Sequence, residues 1–224
     1  YISYSSFNDE KKGANTAIMR FRIKNFQIID EEIIYQANPF TKSPNHWGSR
    51  IEFDNDGYLY FSIGDRFNRD ENPQNIDIDG GKIYRIHDDG KIPNDNPFVE
   101  NLNSKKAIFT YGHRNPQGMV KHPNTGEIWI HEHGPRGGDE INKISYGNNY
   151  GWPFVSYGEP YGKKLKEPKF EKDHKGNGFE EPLFVFSKAI GISELIKISD
   201  NFSKFWNNNF IISSLWAQSI FRVK

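Results

Sequence analysis

One local pattern returns along this chain, and it limits the possible folds more than any other feature. A short run of alternating apolar and polar residues leads into a tight polar turn and then a second apolar run. Residues 50–64 read RIEFDNDGYLYFSIG, and 117–134 read QGMVKHPNTGEIWIHEHG. Residues 194–224 read ELIKISDNFSKFWNNNFIISSLWAQSIFRVK. GKIYRI (81–86) and DEINKI (139–144) supply third strands to the first two units. The head of the chain, YISYSS followed by TAIMRFRI, reads as the outer half of one more. The units recur roughly every 70 to 80 residues, the spacing expected of stacked supersecondary modules. Period-2 alternation closed by turns of the Asn-Asp-Gly and Asn-Thr-Gly kind is the signature of antiparallel hairpins.

No segment carries a helical period beyond about two turns. Aromatic residues make up 15% of the chain, and their rings suit half-buried pleated surfaces. The expected class is therefore all-β. Repeated meanders of this size bury their faces best against one another, as the blades of a propeller do; separate sandwiches are the rival arrangement. The chain reads as a single domain over 1–224, with a partial blade at 1–40 and blades at 46–90, 105–150 and 180–224. The polar, Gly- and Pro-rich loops 65–80 and 156–180 are expected on one rim, where binding sites are built.

Lys and Arg total 29 and balance 29 Asp and Glu, so no basic field exists to attract nucleic acid or an anionic membrane. There is no cysteine, which excludes disulfides and thiolate metal sites. No apolar run approaches the roughly 18 residues of a membrane span. The chain begins at Tyr1 and both ends read as strands, so both termini are expected to be cuts through a longer protein.

Several residues could carry chemistry. His46 lies in NHWGSR just before one strand, and Asp65 follows the next, in SIGDR. The two strands of a hairpin start and finish at the same end, which puts both side chains on one rim. A carboxylate holding one imidazole nitrogen frees the other as a general base; the plainer alternative is a structural turn contact. In YGHRNPQG, His113, Arg114 and Asn115 cluster where a strand gives way to a turn. Their donors suit a carboxylate or quinone oxygen, or a salt-bridged loop. In HEHGPRGGDEIN, His131 and His133 share a strand face. They could bind zinc or iron given a third ligand, although alternating histidines are more often simply hydrogen-bonded. Glycines and Pro135 let the backbone approach a ligand closely, and free carbonyls there are hard oxygen donors suited to calcium, with Asp139 and Glu140 adding charge. NIDIDG (75–80) opens like an EF-hand loop, but its twelfth position is Ile86 and no helices flank it. GNNYGWP (147–153) reads as a turn followed by aromatic packing, and KKLKEPKFEKDHK (163–175) as a solvated charged loop.

Taken together and in order, NHWGSR, FDNDGYLYFSIGD, GKIYRIHDDGKIPNDNPF, YGHRNPQG and HEHGPRGGDEINKISYGNNYGWP resemble the soluble quinoprotein glucose/sorbosone dehydrogenases. That family includes aldose sugar dehydrogenases that use pyrroloquinoline quinone (PQQ). The resemblance covers most of residues 1–160 and continues weakly to the end. It implies a six-bladed β-propeller, of which this chain represents about four blades. By position, His46 corresponds to the catalytic base and Asp65 to the acid that orients it. Arg114 and Asn115 correspond to PQQ contacts, and Asp139 to an acid beside the cofactor. Gly134 and Pro135 correspond to backbone-carbonyl ligands of a Ca2+ ion. The implied reaction is oxidation of an aldose at C1 to a lactone, with electrons passed to an external acceptor, in the periplasm or outside the cell. Two positions depart from the family. Trp216 stands where a lysine usually reaches PQQ, and Ala189 near a small hydroxyl residue that also meets it, with Ser193 close by. These departures suit a second possibility, a non-catalytic interaction module of the hedgehog-interacting type.

Overall fold

A computed structural model describes residues 1–162, 169–198, 201–207 and 209–224. Among the described residues, fourteen strands form four antiparallel sheets. The first holds β1 (Ile2–Asn8), β2 (Gly13–Lys24) and β3 (Gln27–Gln36). The second holds β4 (Ile51–Phe53), β5 (Leu59–Ile63), β6 (Lys82–Ile86) and β7 (Ile108–Tyr111). The third holds β8 (Pro116–Lys121), β9 (Ile128–Glu132), β10 (Asp139–Lys143) and β11 (Phe184–Phe186). The fourth holds β12 (Ile192–Lys197), β13 (Phe210–Ser214) and β14 (Ser219–Val223). Neighbouring strands in each sheet are consecutive in sequence, so each sheet is a meander. A single 3₁₀ turn, Lys175–Asn177, is the helical structure among the described residues, and none there is long and apolar enough to cross a membrane.

The turns form as their residues dictate. Asp54 Oδ1 accepts the amides of Asp56 (3.0 Å) and Tyr58 (2.9 Å), and Gly57 takes the left-handed conformation that closes the β4–β5 hairpin. Period 2 then divides the side chains between the two faces. Leu59, Phe61 and Ile63 of β5, with Tyr84 and Ile86 of β6, pack against Ile18, Ile34 and Ala37 of the first sheet. The alternate residues Tyr60 and Ile83 turn the other way, onto Met119, Ile128 and Ile130 of the third sheet. Val120 and Ile141 meet Ile192, Leu195, Phe210 and Ile212 of the fourth. Each inner sheet is thus buried on both faces, and the four stack in chain order. β8 lies beside both β4 and β12, so the first strands of successive sheets line the inner edge of an arc. Arg50 ties these inner strands together, its Nη1 2.6 Å from Glu194 Oε2 and its Nη2 donating to Ser193 O at 3.0 Å. This is the layout of an incomplete β-propeller.

Two strands sit elsewhere than their sequence units suggest. β7 lies within the 105–150 unit but pairs with β6 of the sheet before it, and β11, within 180–224, pairs with β10. Both are outer strands of three or four residues reached across long loops, too short for alternation to declare their partner.

Candidate active site

The loops that leave the same end of the second and third sheets converge. His46 is held at φ +54° in the loop before β4, and Asp65 follows β5. His46 Nδ1 lies 2.6 Å from Asp65 Oδ1. An ionised carboxylate can only accept, so Nδ1 carries the proton of the pair, and in the neutral imidazole Nε2 keeps its lone pair. Asp65 is fully committed: Oδ1 also accepts the Phe67 amide at 2.8 Å, and Oδ2 accepts Trp152 Nε1 at 2.8 Å. The carboxylate is 1% exposed, whereas the His46 side chain keeps 13% of its surface open.

Arg66 fixes the loop that carries His46. Its guanidinium, lying 3.3 Å from the centre of the Trp47 ring, donates to the carbonyls of Asn45 and Ser43. Burial pushes its pKa down to about 10. The same loop is tied to the next sheet, since Asn115 Oδ1 accepts the Gly48 amide at 3.1 Å. Gly48 and Gly64 are packed backbone to backbone; a Cβ on Gly64 would stand 2.5 Å from His46 O, which only glycine avoids.

Arg114 sits one bond from this pair, its carbonyl accepting the Asp65 amide at 2.7 Å. Its backbone is clamped by Glu132, whose Oε2 accepts the Arg114 amide (2.7 Å) while Oε1 holds His113 Nδ1 (2.8 Å). The guanidinium lies over Trp152, donates to His133 O at 3.3 Å and to Tyr161 Oη at 3.3 Å, and leaves Nε buried with no partner. Tyr161 in turn donates to Pro135 O at 2.8 Å.

The stretch 133–139 is a curled shelf. Gly137 and Gly138 have φ +79° and +68°, and a Cβ on Gly134 would meet Gly137 O at 2.2 Å. Asp139, 1% exposed, holds its shape: Oδ1 accepts the Gly134 amide, and Oδ2 those of Ile190 and Gly191, each at 3.0 Å. Burial pushes His133 down to about 4, with the positive charges of Arg114 and His46 adding to the effect and Asp139 opposing it. His131, fully buried, is also pushed down to about 4 by burial, with the backbone of Glu194 partly opposing the effect, and its ring nitrogens make no well-formed hydrogen bond. A cavity of about 20 Å³ beneath the shelf, lined by Arg114, Glu132, His133, Gly134 and Trp152, has room for one water. A larger ligand has to lie on the open side of the shelf.

His46, Asp65, Arg114, Asn115, Gly134, Pro135 and Asp139 therefore meet at one mouth of the arc through a continuous chain of hydrogen bonds. Ala189 and Trp216 stay outside that network; Trp216 is 82% exposed. Among the described residues no three His, Asp or Glu side chains are grouped to hold a metal ion, which disfavours a His131/His133 centre. The sequence reading missed Trp152, Tyr161 and Glu132. GNNYGWP does more than pack, because its tryptophan donates to Asp65. Residues 163–168 of the charged loop lie outside the described residues; Lys172 pairs with Glu159 at 3.0 Å.

The chemistry of this donor set suits a quinone and a hard cation. The unpaired Nε–H of Arg114 can serve an anionic oxygen, and backbone carbonyls on a shelf that excludes Cβ atoms suit calcium. Fold and site together define a β-propeller with an imidazole–carboxylate pair beside a carbonyl shelf. The sequence profile of the family described as Glucose / Sorbosone dehydrogenase matches residues 1–224, and the chain belongs to that family. It is 37% identical over 219 residues to "Aldose sugar dehydrogenase YliI" of Escherichia coli (strain K12), covering 96% of this chain and 57% of that protein. The crystal structure of the soluble aldose sugar dehydrogenase from Escherichia coli in its apo-form superposes with a TM-score of 0.89 at 36% identity, over 98% of this chain and 63% of that one. The PQQ-bound aldose sugar dehydrogenase of Streptomyces coelicolor gives a TM-score of 0.71 at 25% identity, over 93% and 55%. The chain thus spans somewhat more than half the length of these relatives.

Proposed function

We propose that the full-length protein is a quinoprotein that oxidises aldose sugars at C1 to lactones. The observation that carries this reading is the tie of His46 to Asp65 and, through Arg114 and Tyr161, to the carbonyl of Pro135. His46 Nε2 takes the proton of the anomeric hydroxyl, and Asp65 stabilises the imidazolium that results. PQQ, when bound, supplies the two-electron acceptor for the hydride of C1. Arg114 and Asn115 would orient the cofactor, and the carbonyls of Gly134 and Pro135 would hold Ca2+. Asp139 holds the Gly134 amide, and with it the entry of the chain into the shelf. Tyr161 donates to Pro135 O and steadies that carbonyl. Family membership supports an external electron acceptor and a periplasmic or secreted home.

Trp216 and Ala189, both outside the network, favour a second reading: an interaction module of the same fold in which quinone chemistry has been lost. The test is to add PQQ and calcium to the full-length protein, record the quinone absorption spectrum and assay aldose-dependent dye reduction. A spectral change with turnover is expected. An unchanged spectrum and no turnover would replace the enzyme with the module.

A further inference from the structure

Among the described residues, nine that are not glycine have positive φ. Lys12, Asn25, Phe26 and Gln218 are at hairpin tips, and Asp30 lies at an irregularity in β3. The other four, His46, Ser49, Arg66 and Phe67, gather around the catalytic pair. A left-handed backbone is costly for a bulky side chain and persists where the surroundings impose it, commonly at functional sites. Phe67 (φ +60°) is the least expected of them. The same Asp65 oxygen that holds His46 accepts its amide at 2.8 Å. Its ring meets the His46 imidazole nearly edge to face, with centroids 5.3 Å apart. Half of its surface is nevertheless open, at 50% exposure. A phenyl ring is thus carried, at a conformational cost, to the open side of the proposed base, without being buried there.

We propose that Phe67 is a specificity-determining residue that stacks on the C–H face of the sugar and brings the anomeric hydroxyl to His46. This rests on the dehydrogenase reading above. An aromatic face is electron-rich and attracts the weakly positive C–H groups of a pyranose. It therefore selects sugars with an unbroken C–H face over epimers in which an axial hydroxyl interrupts it.

The test uses Phe67→Gly and Phe67→Tyr in the full-length, PQQ- and calcium-loaded protein. Phe67→Gly is expected to raise KM for an all-equatorial aldose about tenfold, the scale of a lost aromatic contact. It is also expected to reduce the preference for that sugar over its axial epimer, while the midpoint of the kcat pH profile stays in place because the His46–Asp65 bond is kept. Its melting temperature is expected to hold or rise, since glycine accepts the left-handed conformation. Phe67→Tyr should restore KM. Saturation-transfer NMR should show aromatic contact with one face of the sugar in the wild type and lose it in Phe67→Gly. An unchanged KM and epimer ratio in Phe67→Gly, or a shifted pH midpoint with unchanged sugar contacts, would assign Phe67 a structural role. A wild-type protein that neither binds nor oxidises sugar would instead overturn the dehydrogenase reading itself.

Discussion

Two parts of the mouth are built to different standards. Around His46, Asp65, Arg114 and 133–139, side chains are fixed by several hydrogen bonds each. Asp65 and Asp139 each accept three, and both are 1% exposed. Around 189–191 and 214–217 the backbone is as well fixed. The Leu215 and Trp216 amides donate to Gly191 O (2.8 Å) and Ile190 O (3.1 Å), and Asp139 anchors Ile190 and Gly191 from the shelf side. Ser214 is drawn into that frame, its Oγ donating to Ile190 O and accepting the Ala217 amide at 3.0 Å, but the two side chains after it are in solvent, Leu215 73% and Trp216 82% exposed. In the first part, fold and chemistry depend on the same atoms. In the second, the chain path is specified and the side chains at 189 and 216 are not. Substitutions at those two positions can therefore change the surface of the mouth with little folding cost.

The largest expected break in this contrast is His46→Ala in the full-length protein. Loss of a positioned general base should lower kcat by roughly 10²- to 10⁴-fold. The quinone absorption change on adding PQQ and calcium should remain, because Arg114 and the shelf are untouched. Equal loss of the spectral change would show that His46 shapes the pocket and is not confined to proton transfer.

Next is Asp139→Asn. An amide cannot accept at both ends, so at least one of the three N–H donors, of Gly134, Ile190 and Gly191, loses its acceptor. The expected loss is about 4 kcal/mol in urea unfolding, given a few kcal/mol for each buried donor stranded and for the lost charge. A loss below about 1 kcal/mol would mean that the shelf does not rely on this carboxylate.

How much of this was legible in the sequence follows the range of the contacts. The hairpins were readable because alternation and the turns around Gly57 and Gly126 act within a few residues. His46 and Asp65 were readable because the two ends of one hairpin must coincide. Trp152 lies 87 residues from the Asp65 it serves, and Tyr161 lies 47 from Arg114. Each crosses from a loop whose path is set by the packing of other sheets, and no local periodicity encodes that. The outer strands β7 and β11 were misassigned for the same reason. Phe67 carried no signal at all: a phenylalanine after an arginine does not announce a left-handed backbone.

His131 sharpens the contrast from within the well-packed part, since it is fully buried there with no well-formed hydrogen bond to its ring. Its folded pKa is depressed from 6.5 to about 4. Above pH 6.5 the ring is neutral in both states. As pH falls below that, the unfolded chain takes up a proton that the folded protein refuses, and stability drops until about pH 4. The loss reaches roughly 3 kcal/mol for one such group. His133 has the same sign, and the raised pKa of the half-buried Glu140 has the opposite one, but both are retained in the variant. His131→Leu should therefore hold or gain stability at pH 8, where no well-formed hydrogen bond is lost, and should show a shallower decline toward pH 4.5. Parallel stability curves for the two proteins would place the acid sensitivity elsewhere.

The smallest expected effect tests the open part. Trp216→Ala removes a ring that is mostly in water, and surface changes of that kind usually stay within about 0.5 kcal/mol. Trp216→Lys should be equally silent in urea unfolding. The backbone at 216 is held through its own amide and fits closely over Gly191, where a Cβ would come within 3.0 Å of Trp216 Cβ, so neither substitution disturbs the path. If position 216 faces the cofactor, the lysine should tighten PQQ binding in a spectral titration and the alanine should change it little. A stability loss above 1 kcal/mol from Trp216→Ala would show that the tryptophan is bound into the fold, and the division between a fixed and a free half of the mouth would then fail.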